Sequence, residues 1–352
     1  MTRLALVGAG LIGQEHATLI ARHAGATLAA ICDPAPTAVA TADRLGVPLH
    51  ADLAAMLDQC KPDGVIVASP NQMHRAAAIA CIERGIPCLV EKPLADTVEA
   101  AFAIVQASEQ SGVPVLVGHQ RRHSPDIRAA KRTIDEGALG PLVAVSGMTL
   151  FDKPDRYFVD WRKQAGGGVL LINLIHDIDV LRWLVGEIDS VQAFTSSAVR
   201  GFEVEDTASL AIRFRNGALG SFVISDAAVS PWAWEYTSGQ ALYHPTQPGA
   251  ALFLAGRKGA LSVSDLYLWR HADPDGDWQD PLVREHRPVE RSLTYVNQLD
   301  HFLDVVKGAV APLISARDGM MTLAATLAIA RAGRENRAVA IAEMLADAGV
   351  PA

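Results

Sequence analysis

The chain is 352 residues long, half hydrophobic and one-fifth charged, with a formal net charge of −8. That length exceeds the size at which one hydrophobic core usually stops growing, so two domains are expected. The acidic balance, with no basic block longer than pairs such as Arg121-Arg122, argues against a nucleic-acid partner, and the lack of an apolar run of about 18 residues argues against a membrane span.

An apolar run over 3–7 leads directly into Gly8-Ala9-Gly10-Leu11-Ile12-Gly13, followed by helical periodicity and a second apolar run over 28–32 that stops at Asp33. A bare GxGxxG is a weak signal. This one follows a strand, opens a helix and has an acid 20 residues past its last glycine, the context of a dinucleotide-binding unit. Gly8 allows the turn, Gly10 lets backbone approach a pyrophosphate, and Gly13 lets helix and strand pack closely. The pyrophosphate would lie on the free N–H groups at the helix start, around Leu11 and Ile12. Asp33 would accept hydrogen bonds from ribose hydroxyls and repel a 2′-phosphate, so NAD is expected over NADP.

The alternation continues with helices over 37–45, 53–60, 73–84 and 97–111 and strands over 47–50, 64–68, 87–90 and 114–118. Short apolar strands alternating with helices mark a doubly wound parallel sheet, so 1–122 is the expected NAD-binding Rossmann domain of an α/β fold. From residue 123 the texture changes. Helices over 124–136 and 169–184 accompany alternating runs at 142–150, 191–198, 207–214, 219–225 and 259–263, with Asn216-Gly217 as a hairpin signal. The stretch 231–249 reads as one long loop, and helical periodicity returns over 295–307 and 318–332. An α+β domain over 123–352, built on a large, mainly antiparallel open sheet, is expected to bind substrate and to support oligomerisation. Strands over 210–214 and 219–224 are apolar on both faces, which predicts a covered second face. Trp232, Trp234, Tyr243 and His244 are expected to cap the substrate site or pack on a neighbouring subunit.

The four cysteines, Cys32, Cys60, Cys81 and Cys88, have no metal-ligand spacing. No metal is expected, and Cys32 and Cys88 fall in predicted strands as small buried hydrophobes. The N-terminus enters the first strand at once, which leaves no room for a signal peptide; the expectation is a cytoplasmic protein without disulfides.

Ligands of doubly wound sheets bind at the carboxyl ends of the strands. Ser69-Pro70-Asn71 with His74, Glu91-Lys92-Pro93, and His119-Gln120-Arg121-Arg122 all fall there. Lys92 beside an oxidised nicotinamide would have its pKa lowered by charge and burial, fitting it to exchange a proton with a substrate hydroxyl; pairing with a neighbouring acid is the alternative. In the second half, Gly166-Gly167-Gly168 precedes a helix carrying Asn173, His176, Asp177 and Asp179. The glycines can bring backbone close to a ligand. Asn173 and His176 share a face, and Asp177 is rotated by about 100° from His176.

Together, GAGLIG, Asp33, Ser69-Pro70-Asn71 with His74, Glu91-Lys92-Pro93 and GGGVLLINLIHDIDVLRWL resemble the Gfo/Idh/MocA oxidoreductase family, which includes glucose–fructose oxidoreductase and inositol 2-dehydrogenase. The resemblance extends to Gln298-x-x-His301-Phe302 and Asp318-Gly319, and so covers essentially the whole chain. It implies that Lys92 and His176 serve proton transfer and that Gln120 and Arg121 lie near nicotinamide and substrate. The cofactor contacts it implies are Gly8, Gly10, Leu11, Ile12, Gly13, Asp33, Ser69, Pro70, Asn71, His74, Glu91, Lys92 and Arg121. The substrate contacts are Lys92, Gln120, Arg121, Asn173 and His176. The family's aspartate, four before the histidine, falls on Ile172 here, with Asn173 beside it; either Asn173 takes over the substrate contact, or the histidine works without an acidic partner.

The implied activity is an NAD(P)-dependent dehydrogenase, with NAD expected, acting on a secondary hydroxyl of a sugar, polyol, inositol or cyclic hydroxylated compound. The alternatives are an NAD-dependent glycosidase and a non-catalytic NAD-sensing regulator; retention of Lys92 and His176 disfavours the regulator. A homodimer or homotetramer is implied, with no nucleic-acid or membrane partner.

Overall fold

In the computed structural model the described residues are 1–241, 244–273 and 275–351. Tyr243 therefore lies outside them. The chain begins with β1 (Thr2–Val7), α1 (Leu11–Arg22), β2 (Ala26–Cys32), α2 (Ala38–Leu45), β3 (Leu49–His50), α3 (Leu53–Cys60) and β4 (Gly64–Val67). It continues through α4 (His74–Ile82), β5 (Cys88–Glu91), α5 (Val98–Ser111) and β6 (Val115–Gly118). Local chemistry sets several of these boundaries. Asp52 and Thr97 cap α3 and α5 by accepting from the N–H groups of Ala55 and Ala100, and Gly112 ends α5 in a left-handed conformation.

The six strands form one parallel sheet in the order β3-β2-β1-β4-β5-β6. Leu4, Leu6, Ile31, Ile66, Leu89 and Leu116 are essentially inaccessible, as a sheet with covered faces requires. Strand order reverses between β1 and β4, and the crevice at that switch point is where this architecture binds ligands.

Two compact units divide the chain. The first comprises Met1–Gln120 with Tyr295–Leu323 and Ala348–Val350; the second comprises Arg121–Thr294 with Ala324–Asp347 and Pro351. Spatially, then, the first unit extends beyond a single early segment. Its added helix, α9 (Thr294–Val306), sets Phe302 and Val306 against Gly64, where a β-carbon would meet Val306 at 2.7 Å.

The second unit holds α6 (Pro125–Asp135), β7 (Leu142–Leu150), α7 (Ile175–Val185), β8 (Ile188–Ser196), β9 (Thr207–Phe214), β10 (Leu219–Ser225), the short α8 (Trp234–Thr237), β11 (Leu252–Gly256), β12 (Ala260–Val263), β13 (Tyr267–His271) and β14 (Leu282–His286). After α10 (Ala316–Glu335), β15 (Val339–Ala340) and α11 (Ile341–Asp347) end the described elements. Its nine strands run β14-β13-β12-β11-β7-β10-β9-β8-β15, antiparallel except for the β7–β10 pair. Leu210, Ile212, Phe214, Phe222 and Ile224 fill the inner face. Asn216-Gly217 turns the β9–β10 hairpin, with Gly217 at φ +90°.

Two expectations need revision. The helix expected over 169–184 begins as a π-helical stretch, Leu170–Leu174, before α7. The loop over 231–249 contains α8, and Trp234 turns back onto its own unit because its indole N–H finds the buried Asp126 carboxylate at 3.0 Å. Trp232 is half-exposed. All four cysteines are free; burial pushes the Cys32 and Cys81 thiols up to about 11 and about 12, which leaves them inert. Among the described residues no helix is long and apolar enough to cross a membrane.

Candidate active site

In the first unit the glycine turn is packed so closely that only glycine fits. Gly8 has φ +91°, and a β-carbon there would sit 2.6 Å from the Ala68 carbonyl oxygen. A β-carbon on Gly13 would lie 2.0 Å from the Gly8 carbonyl oxygen. Gly10 differs: a β-carbon there would meet nothing within 4 Å, so its glycine leaves open space. Gly10 caps α1 without a side-chain hydrogen bond, the first turn carries no acid, and Leu11 is 73% exposed. Ile12 continues that turn. The start of α1 is thus an open cradle of backbone N–H groups at the positive end of a helix, suited to a pyrophosphate.

Asp33 follows β2 directly, with Oδ2 accepting from the Ala9 N–H at 2.7 Å and Oδ1 from the Ala35 N–H at 2.8 Å. The carboxylate is thereby fixed against the glycine turn, and each oxygen retains a lone pair for a ribose hydroxyl. Ser69 adds a buried Oγ that finds no partner among the described residues. Open cradle, fixed acid and orphaned hydroxyl fit NAD.

The remaining first-unit residues line the strand ends. Pro70 is exposed and Asn71 half-buried. His74 is buried, with Nδ1 2.9 Å from the Pro93 carbonyl and Nε2 2.8 Å from the Ser69 carbonyl, so its ring braces the loops after β4 and β5. Burial pushes its pKa down against the pull of those carbonyls. Glu91 is buried at the end of β5; Oε1 lies 2.8 Å from His16 Nε2, and Oε2 accepts from the Lys92 N–H at 3.2 Å. Burial raises the Glu91 pKa, but the hydrogen bond and charge of His16, with Lys92, outweigh it and hold the carboxyl below its usual range. Lys92 follows half-buried, and Gln120 is buried where β6 gives way to a short turn.

In the second unit, α7 is almost wholly buried. Ile175, Asp177, Ile178, Asp179, Val180 and Leu181 are covered, whereas Asn173 and His176 stay half-buried. Asp177 is engaged inward: Oδ1 accepts from Arg121 Nη1 at 2.6 Å and Oδ2 from Thr149 Oγ1 at 3.1 Å. Arg121, 2% exposed, also donates from Nη2 to Glu235 at 2.7 Å and stacks on Trp234. Both its terminal nitrogens therefore have protein partners, and Arg121 anchors α7. Asp179 pairs with Arg122, equally buried. The glycine run packs against the chain itself, since a β-carbon on Gly168, at φ +80°, would meet Glu205 Oε1 at 2.5 Å.

Three participants escaped the sequence reading. Lys153, just past β7, donates from Nζ to Asn173 Oδ1 at 2.6 Å. Glu235 completes the Arg121 pair, and His16 completes that of Glu91. His16 carried a faint signal as a histidine three residues past the last glycine of the fingerprint. Lys153 and Glu235 carried none, because their partners lie far away in sequence.

A parallel dinucleotide-binding sheet joined to an open, mainly antiparallel sheet defines a class of two-domain oxidoreductases. This chain belongs to the Gfo/Idh/MocA oxidoreductase family: the family model described as "Oxidoreductase family, NAD-binding Rossmann fold" matches residues 2–119, and that of the "GFO/IDH/MocA C-terminal domain" matches 127–261. The chain is 34% identical over 223 residues to inositol 2-dehydrogenase 2 of Saccharopolyspora erythraea, a match covering 61% of this chain and 64%, under two thirds, of that relative. It is 27% identical over 363 residues to D-apiose dehydrogenase of Paraburkholderia graminis, covering 98% and 91%. The WlbA dehydrogenase of Bordetella pertussis, solved with NADH and UDP-GlcNAcA, superposes with a TM-score of 0.79 at 28% identity, covering 96% of this chain and 98% of that one.

Proposed function

We propose that the chain is an NAD-dependent dehydrogenase that oxidises a secondary hydroxyl of a sugar, polyol, inositol or cyclic hydroxylated compound. The observation that carries this reading is the burial of the two proposed proton-transfer groups, each half-buried among buried neighbours: Lys92 beside buried Glu91, and His176 between buried Ile175 and Asp177. NAD, when bound, supplies the hydride acceptor that oxidation of an alcohol carbon requires. Gly8, Gly10, Leu11, Ile12 and Gly13 would hold its pyrophosphate and Asp33 its adenosine ribose, with Ser69, Pro70, Asn71, His74 and Glu91 shaping the crevice. Lys92 takes the substrate's hydroxyl proton on Nζ, or His176 takes it on its ring. Asn173 and Gln120 contact substrate, and Arg121 supports the site by holding Asp177. The assignment of 1–122 to cofactor and 123–352 to substrate belongs to the same reading.

Two further elements complete it. The outer face of the second unit's sheet leaves Phe194, Leu219, Val223 and Phe253 exposed among small neighbours such as Ala211 and Ser221, which favours a homodimer or homotetramer formed through this face. Four free cysteines, three of them buried, favour a reducing, cytoplasmic setting. An absorbance screen for NADH formation against sugars, inositols, lactones and cyclic hydroxy acids tests the activity. Turnover with stoichiometric NADH supports a dehydrogenase, whereas product without net NADH points to a glycosidase.

A further inference from the structure

We propose that Glu235 is a positioning residue of the site: through Arg121 it holds Asp177, and so sets the rotation of α7 that presents His176. This rests on the dehydrogenase reading, in which His176 is a proton-transfer group, and adds the device that aims it.

The first ground is that packing alone does not fix the rotation of α7. Nine of its eleven residues are buried, with His176 and Trp183 half-buried. A helix covered nearly all round has no single apolar stripe to choose its rotation. The π-helical stretch Leu170–Leu174, directly before it, also interrupts the phase that a continuous α-helix would carry forward. A cavity of about 20 Å³, room for about one water, borders Ile127 of α6, Val180 and Leu181 of α7 and Phe222 of β10, beside Arg121. On that side α7 is not tightly filled against its neighbours.

The second ground is a polar clasp that supplies the missing direction. Arg121 gives one terminal nitrogen to each of two acids, Nη1 to Asp177 Oδ1 at 2.6 Å and Nη2 to Glu235 Oε1 at 2.7 Å. Asp177 Oδ2 accepts from the Thr149 hydroxyl of β7 at 3.1 Å. Glu235 Oε2 is buried and has no partner among the described residues, so Glu235 acts on its surroundings through Arg121. Neither acid has a second cation within ion-pair distance among the described residues. A buried ion pair adds little net stability, but it is directional, and it selects one arrangement among packings of similar energy.

The third ground is that the far end of the clasp is anchored. Glu235 lies on α8 next to Trp234, whose indole N–H donates to Asp126 Oδ2 of α6 at 3.0 Å. The Arg121 guanidinium stacks 4.8 Å from the centroid of the same indole. One side of the guanidinium is therefore held by α6 and α8, and α7 is held from the other. Releasing Glu235 would leave Nη2 without its acceptor and let the guanidinium turn about its bond to Asp177. His176, about 100° round the helix from Asp177, would move with that turn. A misplacement of about 1 Å at a reacting group can cost on the order of 100-fold in rate.

The test uses purified full-length protein loaded with NADH and isotopically labelled at the histidine rings, the His176 ring signal being assigned by its loss in His176→Asn. Glu235→Leu should displace that signal in the NMR spectrum. On a substrate that forms NADH with NAD, it should lower kcat by about tenfold or more while KM and the Kd for NAD stay within about threefold. Glu235→Gln, which keeps an acceptor for Arg121, should restore the signal and most of the lost kcat. If Glu235→Leu does not fold, Glu235→Ser, which leaves room for a water on Arg121, carries the same expectations. An unmoved His176 signal in the folded variant overturns the proposal. So does a KM that rises while kcat and the signal hold, which would make Glu235 a substrate contact through its unpartnered oxygen. A displaced signal in a protein that forms no NADH would sink the dehydrogenase reading and leave the positioning role standing.

Discussion

His16, three residues beyond Gly13 on α1, places Nε2 2.8 Å from Glu91 Oε1 at the end of β5, with both side chains buried. Its ring also stands nearly perpendicular to that of Tyr295 on α9, centroids 5.8 Å apart. Because Glu91 accepts from the Lys92 N–H, the contact ties the helix that opens the glycine turn to the backbone of the proposed proton acceptor. His16→Ala would leave the buried Glu91 carboxylate without this hydrogen bond, a loss of about 1–3 kcal/mol. Denaturant unfolding at pH 7 should show that loss, and kcat should fall more than NAD affinity. The Glu91 carboxyl is held below its ordinary pKa, so its stabilising contribution is present above that ordinary value and disappears as pH falls through the folded value. An unchanged midpoint in His16→Ala would remove the bracing role.

Lys92→Met should lower kcat by roughly 100-fold or more, the scale of a lost acid–base group, while the Kd for NAD stays within about twofold. Fluorescence titration and steady-state kinetics on one preparation separate the two quantities. Normal turnover by this variant on the true substrate would show that Lys92 is no proton acceptor.

Much of this was legible because it is local chemistry. The glycine turn, Asp33 and the strand–helix alternation are read within about 30 residues, and the structure places β1, α1 and β2 there. What stayed hidden depends on tertiary pairing. The parallel β7–β10 contact breaks an otherwise antiparallel order, and just beyond it the Asp152–Ala227 bridge and the Lys153 N–H to Asp226 carbonyl bond set Lys153 beside Asp226. Strands β11, β13, β14 and β15 went unread: they are two to five residues long, β14 carries adjacent charges at Arg284 and Glu285, and they are defined by their neighbours rather than by alternation. The π-helical stretch at Leu170–Leu174 shifts the phase of the helix, so ideal helical spacing was an incomplete guide to where Asn173 and His176 face.

Asp33 should make NAD the tighter ligand by about tenfold or more, because a 2′-phosphate would be brought against a carboxylate already fixed by two backbone donors. Pro34 removes another donor that such a phosphate would need. Asp33→Ser should narrow the ratio. Equal or tighter binding of NADP(H) by the native protein would sink the preference.

Asp177 gives a pH signature of the second unit. Burial raises its carboxyl to about 6, Arg121 opposes the rise, and the nearby Glu235 charge adds to it. A folded pKa above the unfolded value means that the native state takes up a proton first as pH falls. The stabilisation is therefore full below the unfolded value and is lost as pH rises through about 6. Compared with Asp177→Asn, which cannot titrate, the native protein should gain about 1 kcal/mol of relative stability between pH 7 and pH 5. Urea unfolding of both forms at the two pH values measures the gap; a gap independent of pH would show that Asp177 does not titrate there.

The outer sheet face gives the last expectation. Val223 lies at the centre of β10, 38% exposed, with Met148 of β7 and Ser209 of β9 as its lateral partners. Phe194 pairs beside Ser209, and Phe253 lies across β7 from β10, both exposed on their strands. Small residues between these apolar ones make the surface flat, and a flat apolar sheet face is stable in water chiefly when another surface covers it. Two copies meeting through this face would desolvate Val223. Val223→Lys would then bury an unpaired ammonium in each copy, at a cost far above that of a surface substitution. Light scattering at micromolar concentration should show an oligomer for the native protein and a monomer of unchanged circular dichroism for the variant. A native monomer, or a variant that keeps the native mass, would mean that this face is not the contact.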